Sequence, residues 1–206
     1  TFKQGVMNSC NPVFMEIGAR VGAKDMLRYY HKLGLYERTG VDLPGEANSI
    51  MHKLDKIGAV ELATMSFGQS IQITPLQLMR AVSAGINGGR LVTPHFALEK
   101  KNPVTKEITE YKYKEKAGAV SKETSQTLRE VLEAVVAEGT GKNGQVEGYR
   151  VGGKTATSEK LPRRSGKYIS SFLGFVPAED PRILGICIIN NPQGVYYGGT
   201  ICAPVM

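Results

Sequence analysis

Lys154, Thr155 and Thr157 stand together in Val151-Gly152-Gly153-Lys154-Thr155-Ala156-Thr157, and Ser9 and Asn11 form a Ser-x-Asn near the start of the chain. These residue types suit acyl transfer from a peptide, which needs a nucleophile, proton movers, an oxyanion hole and a grip on the substrate. The Ser9 hydroxyl both donates and accepts, so it can pass a proton to a leaving amine. Asn11 carries a donor and an acceptor on one side chain, which suits orienting a peptide backbone. Lys154, on an inward-facing strand, supplies positive charge for a substrate carboxylate. Thr155 and Thr157 are two residues apart and share a strand face. Their hydroxyls can hold that carboxylate while an edge backbone N–H points at the oxyanion.

Each pattern also has an ordinary structural reading. Asn11 is a good helix N-cap with Pro12 in the first turn, and one side chain cannot cap a helix and hold substrate at once. A Lys-Thr-x-Thr strand also suits a solvated sheet edge. The preceding Gly152-Gly153 marks the close approach of a ligand or of another backbone. His31, His52 and His95 lie in no arrangement with a hydroxyl, which leaves a Ser–His–Asp triad without support. The basic loop 158–167, with Lys160, Arg163, Arg164 and Lys167, is either a solvated turn or a lip over the site.

The elements that must position these residues follow from periodicity. Val13, Phe14, Ile17 and Val21 have helical spacing up to Gly22, and a second helical pattern runs from Asp25 to Lys32 and stops at Gly34. Residues 40–46 are a turn-rich loop without periodicity. Thr74-Pro75-Leu76-Gln77 is a capping box that opens a helix to about Ile86, ended by Asn87-Gly88-Gly89. Residues 91–117 read as a short hairpin or surface strands. Ser121 starts an amphipathic helix with Leu128, Val131, Leu132, Val135 and Val136 on one face. Tyr149 to Thr157, Tyr168 to Val176 and Arg182 to Ile189 then read as three strands. Their short connections favour antiparallel neighbours, and helices followed by a meander predict an α+β layer fold.

A chain of 206 residues supports one domain with a real core, or a large piece of one. Its net charge of +7 is spread among acids rather than gathered with aromatics on one face, which argues against a nucleic-acid partner. A mildly basic surface suits an anionic membrane or wall polymer as well. Cys10, Cys187 and Cys202 have no metal-type spacing with the histidines, and Cys187 reads as a packed free thiol in a strand. No cofactor or metal site is expected. No apolar run reaches the ~18 residues of a membrane span. Thr at position 1 is read as the start of a processed or truncated product, with any export signal or anchor upstream.

Taken together, these features resemble the transpeptidase domain of class B penicillin-binding proteins, most closely the sporulation type. The likeness runs through Asn8 to Phe14, the 40–46 loop, Ser66-Phe67-Gly68-Gln69 and Thr74 to Leu78. It continues through Asn87-Gly88-Gly89, Gly139-Thr140-Gly141, Gly152 to Thr155, Phe172 to Pro177, Tyr197-Gly198-Gly199 and Ala203-Pro204. The resemblance implies a penicillin-binding protein/serine β-lactamase-like fold, an antiparallel sheet flanked by helices. It also implies D,D-transpeptidation of peptidoglycan stem peptides, with acylation by β-lactams. Ser9 then corresponds to the proton-relaying serine and Asn11 to the substrate-orienting asparagine. Lys154, Thr155 and Thr157 form the third motif, with the Thr157 N–H in the oxyanion hole and Gly153 and Ala156 beside the substrate.

Three departures stand out. No serine in the chain is followed three residues later by lysine, so the S-x-x-K nucleophile is expected upstream. Ala156 replaces the glycine of K-T-G, placing a methyl where the family keeps the strand bare. The chain also stops where the family begins its final helix, so residues 1–206 are read as a partial domain cut at both ends. The parent is then expected to be extracytoplasmic and membrane-anchored, with a membrane-embedded glycan polymerase as partner. The rival readings are a carboxypeptidase or β-lactamase of the same superfamily, a degenerate wall-binding scaffold and a basic nucleic-acid-binding module.

Overall fold

In the computed structural model, which describes residues 1–162 and 164–206, the site rests on three antiparallel strands. These are β5 (Gly152–Glu159), β6 (Tyr168–Val176) and β7 (Ile183–Asn190), in the order β5-β6-β7. The register sets Lys154 opposite Leu173 and Leu173 opposite Ile186, while Thr155 faces Phe172 and Cys187. Side chains alternate along a strand, so Lys154 and Thr155 point to opposite faces of the sheet. The first strand starts later than the Tyr149 expected from sequence. Gly148 has φ of 80°, and Tyr149 turns back to bond Val146 before the strand begins.

Helices cover one face of the sheet. Phe175 packs there with Val6 of α1 (Phe2–Met7), Ile86 of α4 (Pro75–Ile86), and Val131 and Val135 of α5 (Lys122–Ala137). Phe172, of opposite parity, packs with Val136, Cys202 and Ala203, bringing the segment that contains α6 (Gly198–Ile201) onto the other side. The α+β reading therefore holds, and the amphipathic stripe of α5 is the surface on which α1 and the sheet meet.

The two helical patterns before Gly34 form one stretch, α2 (Asn11–Lys32), broken at Gly22, where φ of 77° and ψ of 158° interrupt the helix. Its buried Gly18 lies against Ser66 of α3 (Ala59–Ser66), a short helix that the sequence pattern did not reveal. Four short strands occupy residues 91–117. Here β1 (Leu91–Val92) pairs with β4 (Glu115–Lys116), and β2 (Glu99–Lys101) pairs with β3 (Ile108–Glu110). The 40–46 loop is tied to them by Asp42, whose carboxylate accepts from the N–H groups of Phe96 and Ala97 and from the Tyr113 hydroxyl. No helix among the described residues is long and apolar enough to cross a membrane.

The expected capping box forms at α4. Gln77 N–H donates to Thr74 Oγ1 at 3.1 Å, and Thr74 N–H donates to Gln77 Oε1 at 2.8 Å. Gln77 is itself buried and donates to the Glu37 carbonyl at 2.8 Å. Thr74→Ala removes the cap and leaves the Gln77 anchor, so a loss of about 1 kcal/mol is expected from the urea midpoint.

Candidate active site

Ser9 is delivered by the way α1 ends. Ser9 N–H donates to the Val6 carbonyl at 3.1 Å and Cys10 N–H to the Gly5 carbonyl at 2.9 Å. This pair of bonds is a Schellman motif, in which the residue after the cap takes the left-handed conformation. That residue is usually glycine; here it is Ser9, with φ of 51°. The left-handed region costs a residue with a Cβ roughly 1–2 kcal/mol. The sharp turn throws the Ser9 side chain out between α1 and α2, toward the sheet.

Lys154 meets it there. Its ammonium donates to Ser9 Oγ at 2.8 Å and to the Thr155 carbonyl at 3.0 Å. Two residues 145 positions apart in the chain are thus in direct contact. Burial disfavours the charged amine and lowers the Lys154 pKa from 10.5 to about 8. Lys154 can therefore change protonation state near neutral pH. Because Ser9 Oγ accepts from Lys154, its own proton remains free to be donated elsewhere. The pair can pass a proton in either direction.

The threonines occupy the other strand face, as their spacing requires. Thr157 is exposed, and its Oγ1 accepts from the Gly198 N–H at 3.1 Å. The Thr155 hydroxyl lies 3.1 Å from that of Thr140. As the sheet's edge strand, β5 directs alternate N–H groups away from β6, which makes an oxyanion donor geometrically available. Ala156 is exposed and, by parity, shares the face of Lys154. Its methyl therefore stands at the site rather than in the core.

Two expectations change. Asn11 does not cap α2: the cap is Cys10, which makes no side-chain capping bond, and Asn11 is the first helical residue with its side chain exposed. The competition between capping and substrate binding is removed. Gly152 and Gly153, read as the mark of a ligand or backbone approach, are bare mainly because of aromatic packing. A Cβ on Gly152 would lie 2.2 Å from Phe175 Cζ, and one on Gly153 would lie 2.6 Å from Phe172 Cζ and 2.7 Å from the Leu173 carbonyl. Gly153 is buried beneath the Phe172 ring.

Other parts of the site escaped the sequence reading. Asn143 donates to the Gly199 carbonyl at 2.8 Å, and Ser170, fully buried, donates to the Tyr196 carbonyl. Together with the Gly198–Thr157 bond these contacts bring the 191–199 segment over β5 and β6. In the sequence, the Thr140 turn and Tyr197-Gly198-Gly199 stand out through family likeness alone. In the basic loop, Lys160 donates to Asn190 Oδ1 at 3.0 Å, and Glu159 accepts the Arg164 N–H at 2.5 Å; Arg163 lies outside the described residues. Two of the three histidines are engaged elsewhere: His31 stacks on Tyr36 and His95 on Tyr113. The three cysteines are free thiols, with Cys202 fully buried and Cys187 partly so.

The site is thus a lysine on the sheet's edge strand bonded to a serine presented between two helices. Residues 1–206 match the penicillin binding protein transpeptidase domain, and the chain belongs to that family. It is 45% identical to stage V sporulation protein D of Bacillus subtilis (strain 168), a match covering 100% of this chain and 33% of that protein. It is 34% identical to the probable peptidoglycan D,D-transpeptidase PenA of Neisseria meningitidis, covering 98% of this chain and 34% of the relative. Penicillin binding protein 3 of Mycobacterium tuberculosis, solved in complex with ampicillin, superposes with a TM-score of 0.90 at 29% identity. That match covers 100% of this chain and 48% of the solved one. The chain spans about a third of the length of these curated relatives.

Proposed function

We propose that residues 1–206 form the proton-relay and substrate-gripping part of a serine-type D,D-transpeptidase domain that cross-links peptidoglycan stem peptides. The nucleophile is an upstream S-x-x-K serine, and β-lactams acylate that same serine. The observation that carries this reading is the 2.8 Å hydrogen bond from Lys154 to Ser9. It joins the only two motifs from which the sequence reading drew proton transfer and positive charge.

The mechanism follows from the chain's own groups. Lys154, with a pKa of about 8, holds Ser9 Oγ as an acceptor and keeps the Ser9 proton directed away from itself. As the upstream serine attacks the penultimate D-Ala carbonyl, giving its proton to the lysine of its own S-x-x-K, the Ser9 hydroxyl hands its proton to the departing D-Ala nitrogen. Lys154 makes good that proton. The hydroxyls of Thr155 and Thr157 donate to the substrate's terminal carboxylate, and the Thr157 N–H stabilises the oxyanion. The exposed Asn11 amide orients the stem-peptide backbone. The acyl group then passes to an acceptor amine, with Ser9 taking up the amine's proton. The parent protein is placed outside the cytoplasm, anchored to the membrane and working beside a glycan polymerase.

Fluorescent penicillin tests this with the chain extended upstream through its S-x-x-K helix. The extended protein should label. Ser9→Ala should slow labelling roughly 10²–10⁴-fold, the range for loss of a positioned proton carrier. A folded extended protein that takes no label would sink the enzymatic reading in favour of a wall-binding scaffold.

A further inference from the structure

The turn that follows α5 touches every element that builds the site. Gly139 N–H and Gly141 N–H both donate to the Val135 carbonyl, at 3.1 and 3.0 Å, which fixes the turn to a fully buried residue of α5. From that anchor, Thr140 N–H donates to the carbonyl of Met7 at 3.1 Å, two residues before Ser9. The Thr140 hydroxyl bonds that of Thr155 at 3.1 Å, next to Lys154. The Thr140 carbonyl faces α6, where a Cβ on Gly199 would come within 2.6 Å of it, and Asn143 closes the same side through its bond to Gly199. Gly139 shows how tight the approach is: a Cβ there would lie 2.6 Å from the Met7 carbonyl.

Among the described residues, the one direct hydrogen bond between residues 1–10 and β5 is that of Lys154 with Ser9. That bond is the relay itself. It joins a strained turn on a six-residue helix to the free edge of a sheet, and neither partner is held by the other's backbone. Outside the relay, apolar packing of Val6 with Phe175 also joins the two sides, and Thr140 adds a directed polar link with one backbone and one side-chain bond.

We propose that Thr140 is a positioning residue for the Ser9–Lys154 relay, clamping the end of α1 to β5 so that a proton can cross between them. The proposal rests on the transpeptidase reading for its kinetic effect, but the clamp itself does not. Misplacing catalytic groups by a fraction of an ångström to 1 Å costs rate steeply, of the order of 10²-fold at the larger displacement.

The test uses the intact protein with its upstream serine and two substitutions. Thr140→Val keeps the shape and the backbone N–H and deletes the hydroxyl; Thr140→Ser keeps the hydroxyl. Fluorescent-penicillin acylation is followed across pH 6–10, and the Lys154 ε-methylene is titrated by NMR without ligand. Thr140→Val should lower the maximal acylation rate about 10- to 100-fold with little change in half-saturating penicillin. The Lys154 titration should move up toward that of a solvated lysine, and Thr140→Ser should stay within about threefold of the parent on both readouts. A Val variant that matches the parent in rate and titration overturns the proposal. So does a Val variant that weakens only half-saturation, since that marks a ligand contact, or a Ser variant as impaired as Val. If the folded parent takes no label, the transpeptidase reading fails, and the Lys154 titration alone then decides whether Thr140 holds the relay.

Discussion

Lys154→Met removes acylation of the upstream serine by penicillin, by at least about 10³-fold, and makes the fold more stable at pH 7. The first half follows from the contacts: Met donates nothing to Ser9 Oγ and carries no charge for the substrate carboxylate. The second half follows from the sign of the pKa shift. Lys154 titrates at about 8 when folded and at 10.5 when free, so between those values the unfolded chain binds a proton that the folded chain has lost. Stability must therefore rise with pH from about 8 to about 10.5, and the full penalty for a buried ammonium is present below 8. Moving a pKa from 10.5 to about 8 corresponds to about 3 kcal/mol, and solvent on the open side of the site reduces this to about 1–2 kcal/mol. Methionine fills the same volume and has no such penalty. Melting curves of both proteins across pH 6–11 read it directly. A variant that melts lower than the parent at pH 7, or that keeps the rise between 8 and 10.5, would show that Lys154 is not the destabilised group.

This trade of stability for chemistry separates what the sequence shows from what it hides. Elements with local signals were legible: the Thr74–Gln77 box set the start of α4, Ser121 set that of α5, and β6 occupies Tyr168–Val176 as read. The i, i+2 spacing of Thr155 and Thr157 placed them on one face, opposite Lys154, as the register confirms. Local signals also exist for α1, where Thr1 and Gln4 make a capping box, but six residues carry too little periodicity to stand out. What could not be read was contact across the fold. Nothing near Ser9 says that a lysine 145 residues away will bond it, and nothing near Thr140 names Met7 or Thr155 as partners. The glycines show the same limit. Gly153 announced that something comes close, and only the three-dimensional structure shows that the visitor is Phe172.

Phe172→Ala should be among the most destabilising single changes in the chain, at about 3–5 kcal/mol by denaturant unfolding. The ring is fully buried, packed on Val136, Cys202 and Ala203, and much of the rest of its wall is glycine. Added Cβ atoms would meet it at 3.3 Å from Gly141, 2.7 Å from Gly144, 2.6 Å from Gly153 and 3.0 Å from Gly174. Four glycines cannot refill the cavity, which places the cost at the upper end of the range for aromatic truncation. The same geometry makes a reciprocal prediction at Gly144, whose added methyl would meet this ring first. Gly144→Ala should cost about 1–3 kcal/mol in the parent by overpacking, and far less, or nothing, in the Phe172→Ala background. A double-mutant cycle measures that coupling, expected at more than about 1 kcal/mol with the sign of mutual relief. Additive losses would mean that the ring does not rest on the glycines. Because Gly153 lies under the same ring and precedes Lys154, this packing also fixes where the relay begins. The bare strand ahead of Lys154 seats the phenylalanine beneath it.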